Sequence, residues 1–188
     1  MIRIVGSVGT DHHPFNRLLE WMTIVSEQLA FEIVVQTGST FAAGALRRDH
    51  VGTFDYVPAA ELAALMADAD AVVCHGGPGT ISLARSVGHR PIVIPRDPQL
   101  GEHVDDHQKR FAAKLAAEGT IDVASSVDEL RALLADPRAK VHDETPLGER
   151  DRAVEEFALL VDQLLLGQIE QRRWRNRFLL GRLGGRSA

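Results

Sequence analysis

Segments with the signature of buried β-strands alternate with segments of helical periodicity along the first 134 residues. Each strand candidate is a short apolar run closed by glycine or polar residues, and each helix candidate has apolar residues three and four positions apart. The predicted strands cover residues 2–8, 31–36, 53–57, 70–74, 91–94 and 121–124. The predicted helices run from Pro14 to Leu29 and over residues 59–67, 80–87, 102–118 and 126–134. This alternation predicts an α/β fold, a Rossmann-like parallel sheet with helices on both faces.

The chain of 188 residues divides into three parts. Residues 1–136 are predicted to form the α/β domain, which is long enough to bury a sizeable core. Residues 137–148 are polar and contain Pro137 and Pro146, so we interpret them as a linker. Residues 149–188 are predicted to form a C-terminal amphipathic helical extension, because apolar residues such as Phe157 and Leu160 recur at helical spacing.

The composition, with 45% hydrophobic and 25% charged residues, is that of an ordinary globular protein. Cys74 is the single cysteine, so an internal disulfide is excluded and a reducing compartment is expected. The start of the chain lacks the pattern of a secretory signal, and no apolar run is long enough to span a bilayer. These features together predict a cytoplasmic protein.

Charge is distributed unevenly along the chain. There are 26 acidic and 21 basic residues, and no acidic residue follows Glu170. The acidic body argues against nucleic acid as a partner, because phosphate contacts need a basic face. Six arginines follow Glu170, namely Arg172, Arg173, Arg175, Arg177, Arg182 and Arg186. This basic end predicts contact with an anionic membrane surface or with a partner, whereas residues 153–166 fit packing against their own domain equally well.

Two glycine-bearing segments follow predicted strands and lead into helices. The first segment, residues 6–14, reads GSVGTDHHP, and the second segment, residues 75–79, reads HGGPG. Glycine lets backbone N–H groups approach an anion, and a helix N-terminus adds a favourable field, so both segments suit a phosphate. His75 has two interpretations, a donor to a phosphate oxygen or a cap at the strand end. The first segment contains neither the GxGxxG nor the P-loop motif, and taken alone it is more typical of a tight turn.

A third segment, residues 95–108, reads PRDPQLGEHVDDHQ and is dense in hydrogen-bonding groups. That density suits a polyhydroxylated ligand, in which each hydroxyl needs a donor or an acceptor. A solvated helix start is the alternative, because acidic residues are favourable in a first helical turn. Ligands of open parallel sheets bind where the loops collect at the carboxyl ends of the strands. We therefore expect the three segments to share one crevice.

A metal site is a further possibility that the histidine spacing raises. His103 and His107 are four residues apart, which would place both on one face of the predicted helix, as zinc ligands can lie. The zinc-protease motif HExxH is absent, because Val104 stands at its glutamate position. The DAD sequence at residues 68–70 precedes a strand and so belongs to the opposite end of the sheet. No metal is expected.

The three segments and the sequences around them resemble glycosyltransferase family 28. HGGPGTI at residues 75–81, PIVIPR at 91–96 and GEHVDDHQ at 101–108 look like motifs of its C-terminal domain. GTDHHPFNRL at 9–18 and VVQTG at 34–38 are similar to the start of PssE-type subunits. These subunits in turn resemble the cytosolic half of the two-part N-acetylglucosaminyltransferase of dolichol-linked glycan assembly. The resemblance covers residues 1–135 in order.

The resemblance implies one half of a GT-B enzyme, with a UDP-sugar as donor substrate and no metal or other cofactor. It implies that the first and second segments hold the diphosphate and ribose and that the third segment faces the sugar. The donor-binding residues implied in this way are Gly9, Thr10, His75, Gly76, Gly77, Gly79, Thr80, Arg96, Glu102, His103, Asp106, His107 and Gln108.

The resemblance also implies a partner, a PssD-like membrane-anchored subunit that binds a lipid-linked acceptor in polysaccharide or lipid-linked glycan synthesis. That partner would hold this chain at the inner face of the membrane. Transfer would be inverting, with the general base expected from the partner and with Asp11, His12 and His13 as local candidates. Leu83 stands where many relatives have a glutamate that binds the ribose hydroxyls. A non-catalytic stabilising subunit that does not bind donor is therefore the alternative function.

Overall fold

Six strands and five helices make up the part of the chain that the computed structural model describes, residues 2–29, 31–40 and 51–135. The strands are β1 (Arg3–Ser7), β2 (Glu32–Gln36), β3 (Val51–Phe54), β4 (Ala71–His75), β5 (Ile92–Ile94) and β6 (Asp122–Val123). The helices are α1 (Asn16–Leu29), α2 (Ala59–Ala67), α3 (Pro78–Ser86), α4 (His107–Ala117) and α5 (Val127–Leu134). A short 3-10 helix, Pro98–Leu100, precedes α4.

All six strands pair in parallel, in the order β3-β2-β1-β4-β5-β6. The chain builds the sheet outward from β1 to β3 and then returns to place β4 on the other side of β1. This reversal is the topological switch point of a doubly wound fold, where ligands bind beyond the carboxyl ends of the strands. The first and second segments follow β1 and β4, so they flank the switch point.

Alternate residues of each strand pack on opposite faces of the sheet. Ile4 lies in a buried cluster with apolar residues of α1 and α5, whereas Val5 lies in a second cluster with α2 and α3. A third cluster joins Cys74 and Val93 to α3 and α4. Burying both faces explains why the strands are continuously apolar, and it confirms the predicted Rossmann-like sheet with helices on both sides.

Several element boundaries differ from the sequence prediction, and those of β3, α3 and α4 have a clear physical reason. Strand β3 begins at Val51 because it pairs with Ile33, so Val51 and Gly52 belong to the strand. Helix α3 begins at Pro78, two residues before the predicted start, because proline has the backbone angle of a first helical position and lacks the N–H that would lie unpaired there.

The largest difference concerns α4, which was predicted to begin at Glu102 and begins instead at His107. Gly101 has a left-handed backbone conformation, φ 71°, and ends the 3-10 helix Pro98–Leu100. The N-cap of α4 is Asp106, and the carboxylate of Asp105 accepts the backbone N–H of His107, the first helical residue, at 3.1 Å. His103 therefore precedes α4, and the prediction that His103 and His107 share one helix face is wrong.

Several predictions lie outside the described residues. These are the linker 137–148 and the helical extension 149–188 with its six arginines; residues 41–50, between the second and third predicted strands, also lie outside the described residues. Within residues 2–29, 31–40 and 51–135, no helix is both long enough and apolar enough to cross a bilayer.

Candidate functional site

The first and second segments meet at the side chain of His75, the last residue of β4. Its imidazole ring lies between Gly9 and Gly77, and a Cβ atom added to either glycine would overlap the ring. Gly9 also has φ 81°, a conformation that residues with a Cβ rarely adopt. The two glycines are therefore required for close approach between the segments.

His75 is 8% exposed, and its Nδ1 atom has no hydrogen-bond partner among the described residues. Burial and, next, the nearby charge of Arg96 lower the pKa of His75 to about 4. The imidazole is consequently neutral at physiological pH. A neutral imidazole has one donor and one acceptor nitrogen, and its Nδ1 is buried between the segments.

Gln108 joins the second segment to the third. Its buried side-chain oxygen accepts the backbone N–H of Gly76 at 3.1 Å and that of Arg96 at 3.4 Å. Gly76 has no room for a side chain, because a Cβ there would lie 2.9 Å from the Cβ of Gln108. The start of α4 is thereby fixed against the end of β4.

Arg96 joins the third segment to the first. Its guanidinium, 0% exposed, donates to the carbonyl of Val8 at 2.8 Å, that of His13 at 2.7 Å and that of Glu102 at 2.9 Å. The guanidinium carbon also lies 4.8 Å from the centre of the Phe15 ring. Arg96 was predicted to bind donor, and the structure places its side chain in the interior, where it holds two segments together.

Glu102 has a similar structural position. Its carboxylate accepts hydrogen bonds from Nε and Nη2 of Arg17 at 3.0 and 2.7 Å, and from the backbone N–H of Asp97 at 2.8 Å. Arg17 lies on α1 within the GTDHHPFNRL motif, but sequence reasoning assigned it no role, because no motif links two residues 85 positions apart.

Histidines and aspartates from the first and third segments form a continuous group at the carboxyl ends of β1 and β5. Asp11 Oδ1 accepts the backbone N–H of His13 at 2.7 Å and lies 2.6 Å from its ring Nδ1. The other Asp11 oxygen lies 3.7 Å from Nε2 of His103. Burial raises the pKa of Asp11, but the hydrogen bonds from His13 outweigh it and leave the pKa below its usual value.

The remaining predicted residues lie at the accessible side of the same group of segments. Thr10, Gly79 and Thr80 are partly buried, and Asp106 and His107 are exposed. Thr80 is the third residue of α3, whose N-cap is Gly77. An N-cap glycine has no side chain to accept the first N–H groups of the helix, so these groups can serve an anion.

Leu83 lies on α3 and packs against the buried cluster that contains Val5, Met66 and Val72. Its side chain therefore contributes to the hydrophobic core. The DAD sequence is at the opposite end of the sheet, as expected, since Asp70 accepts the backbone N–H of Arg3 at the start of β1.

Solved glycosyltransferases share this architecture. The glycotransferase of kitacinnamycin matches 85% of this chain with a TM-score of 0.58 and 22% identity, and MurG of Acinetobacter baumannii matches 86% with a TM-score of 0.54 and 17% identity. The chain spans only 39% and 50% of those two proteins. It spans 94% of ALG13, which matches 84% of this chain with a TM-score of 0.53 and 17% identity. At sequence identities this low, the structural similarity shows that these proteins share a fold with this chain and shows nothing further.

Sequence comparison gives the family. No curated protein matches the chain significantly. The family profile described as the glycosyltransferase family 28 C-terminal domain matches residues 3–164, which is most of the chain. Together with the parallel sheet and the contacts among the three segments, this match shows that the chain belongs to glycosyltransferase family 28 as its C-terminal domain.

Proposed function

We propose that this chain is the donor-binding and catalytic subunit of an inverting UDP-sugar glycosyltransferase that acts with a membrane-associated, acceptor-binding partner. The observation that carries the proposal is the convergence of the three segments at the switch point of the sheet. His75, Gln108 and Arg96 connect each segment to the next. A single crevice there would combine anion-binding backbone with sugar-binding side chains.

The diphosphate would bind at the N-terminus of α3 and the backbone of Gly9 and Thr10. The uncapped N–H groups of α3 and the helix field stabilise the negative charge that develops as the nucleoside diphosphate leaves. Neutral His75 adds a hydrogen bond without adding a charge. This arrangement supplies the stabilisation that a metal gives in other transferases, so we assign the transfer no metal.

The sugar would contact His103, Asp106 and His107, the polar side chains of the third segment that keep some exposure. In the transfer, an acceptor hydroxyl attacks the anomeric carbon from the face opposite the diphosphate. The bond from that carbon to the diphosphate oxygen breaks, and a general base takes the hydroxyl proton. Inversion follows from this single displacement.

We assign the general base to the partner. Among the local candidates, His13 is the best oriented, because the Asp11 carboxylate holds its Nδ1 and leaves Nε2 as the proton acceptor. His12 is less suited, since its side chain is 85% exposed and its Nδ1 lies 3.8 Å from Asp11.

The need for a partner is supported by length. The chain spans half or less of MurG and of the kitacinnamycin glycotransferase, but nearly all of ALG13. We therefore propose a second subunit, PssD-like and membrane-anchored, that brings a lipid-linked acceptor for polysaccharide or lipid-linked glycan synthesis. The chain would then be cytoplasmic and peripheral at the inner face of the membrane.

A non-catalytic stabilising subunit is the second candidate, and Leu83 favours it. A leucine packed into the core cannot bind the ribose hydroxyls, and the carboxylate of Glu102 is already bound by Arg17. In this case the crevice would be retained for the stability of a complex without binding donor.

Calorimetric titration with UDP and UDP-sugars, with the chain alone and with its co-expressed partner, separates the two functions. We expect saturable binding that Thr80→Val weakens roughly tenfold, the cost of about one hydrogen bond to a charged group. Thr120→Val is the matched control. The Thr120 hydroxyl donates to the Leu115 carbonyl at 3.1 Å. Thr120 precedes β6, at the amino end of the strands and away from the three segments. Absence of UDP binding even with the partner would establish the stabilising function instead.

A further inference from the structure

Four of the eight histidines in the chain lie together at the junction of the first and third segments. Successive ring centres are 4.1 Å apart for His12 and His13, 5.9 Å for His13 and His103, and 4.6 Å for His103 and His107. Asp11 and Asp105 lie among them. Such a density of imidazole and carboxylate groups is more than sugar recognition requires, and it has the donor set of a transition-metal site.

We propose that His103, Asp105 and His107 bind a divalent cation of the zinc class. One ligand atom from each residue, a ring nitrogen from each histidine and a carboxylate oxygen, all lie within 4.8 Å of one another. His103 Nδ1 and Asp105 Oδ1 are 3.6 Å apart, close to the roughly 3.3 Å between ligands of a tetrahedral ion with bonds of about 2 Å. Asp105 Oδ1 also contacts His107 Nδ1 directly.

The loop before α4 creates this arrangement. Had the helix begun at Glu102, His103 and His107 would lie one turn apart and Asp105 would point elsewhere. With the helix starting at His107, the Asp105 carboxylate accepts the backbone N–H of His107, and the same carboxylate lies within 3.6 Å of the His103 ring nitrogen. This hydrogen bond fixes one ligand in place before any ion arrives.

The surroundings of His103 support the assignment. Metal-bound histidines commonly present their second ring nitrogen to a carboxylate, which orients the ring. Here Nε2 of His103 faces Asp11 at 3.7 Å, and Asp11 is itself held by the backbone N–H of His13. The His103 side chain is only 10% exposed, so its ring is held in place by packing.

The neighbouring group of Asp11, His12 and His13 is a weaker candidate. The His12 side chain is 85% exposed with its Nδ1 3.8 Å from Asp11, and Asp11 also faces His103. Three protein ligands at His103, Asp105 and His107 leave a fourth position for water or a ligand atom. His103 and His107 are also the side chains proposed to contact the sugar, so zinc and the donor would compete for them. The ion takes no step in the proposed transfer, and zinc is titrated without donor, so its failure to bind would not count against the proposed function.

The test is a zinc titration of the tag-free full chain against a chromophoric chelator, with Co2+ absorption to report the coordination geometry. We expect one tight equivalent with a tetrahedral Co2+ spectrum. Asp105→Ala and His107→Ala should each weaken binding at least about 100-fold, and Asp11→Asn roughly 10- to 100-fold. Both substituted ligands are exposed, so circular dichroism should show an unchanged fold.

His12→Ala is the matched control, because His12 belongs to the same group of histidines but is not a proposed zinc ligand. It should bind zinc as the unmodified chain does. The proposal is overturned if the chain binds no stoichiometric zinc, if Asp105→Ala binds it equally well, or if His12→Ala weakens binding as much as His107→Ala.

Discussion

His75 and the glycines on either side of it show how single residues set the shape of the site. The imidazole fills the space that side chains at Gly9 and Gly77 would need. The sequence placed Gly9 in the first segment and His75 and Gly77 in the second, and both segments were expected at one crevice, because glycine after a strand lets the backbone approach an anion. It did not reveal that the glycines make room for a histidine, since that depends on the distance between two strands.

Gly9→Ala should therefore destabilise the fold more than a glycine substitution that only strains the backbone. Gly101→Ala is the matched control, since Gly101 has φ 71° but open space around its Cβ position. We expect about 1 kcal/mol for Gly101→Ala and at least about 2 kcal/mol more for Gly9→Ala, where overlap with the ring is added. Urea unfolding measures both values. Equal losses would show that the ring does not press on Gly9.

Burial of neutral His75 predicts a pH dependence of stability. Its pKa, lowered to about 4 by burial, is below the value of about 6.5 in the unfolded chain. Between these values the unfolded state binds a proton that the folded state does not, so stability falls as pH falls. From pH 7 to pH 5 this costs about 2 kcal/mol.

The measurement is urea unfolding of the unmodified chain and of His75→Asn at pH 7 and pH 5. His89, whose pKa burial also lowers, is present in both proteins, so the difference isolates His75. The unmodified chain should lose more stability than the variant. An identical loss in both would mean that His75 is protonated in the folded state.

Among the elements, the connection between β5 and α4 departs most from expectation. Acidic residues suit a first helical turn, so Glu102, Asp105 and Asp106 together predicted an earlier start. In the structure Glu102 pairs with Arg17, and the Asp105 carboxylate accepts the backbone N–H of His107 at the helix start, so the segment remains a loop. Local propensity cannot reveal this, because the partner of Glu102 is on α1.

Arg96 ties the segments after β1 and β5 together, and its removal should loosen both. Arg96→Met leaves the carbonyls of Val8, His13 and Glu102 without their donor, which costs at least about 3 kcal/mol. Hydrogen exchange should accelerate in residues 8–14 and 96–106 together. Arg110→Met is the control, because its side chain is 78% exposed and should change stability by less than about 0.5 kcal/mol. Acceleration in only one segment would contradict the linking role.

At the scale of the whole molecule, the alternation of strands and helices predicted the six strands and five helices of the described residues. It did not predict the order β3-β2-β1-β4-β5-β6, because right-handed crossovers fix the handedness of each connection and leave open the side on which β4 is added. The family resemblance implied one half of a GT-B fold, which the strand and helix pattern alone did not. In the structure, the switch point between β1 and β4 brings the three segments together.

The claim that the three segments form one donor crevice is tested most directly by NMR of the 15N-labelled chain of 20.6 kDa during titration with UDP. We predict saturable shift changes in the amides of residues 9–14, 75–80 and 96–108, with a single affinity. Amides at the amino ends of the strands, such as those of Arg3, Asp70 and Thr120, should not change. Saturable changes confined to that end of the sheet, or different affinities for the three segments, would contradict the claim.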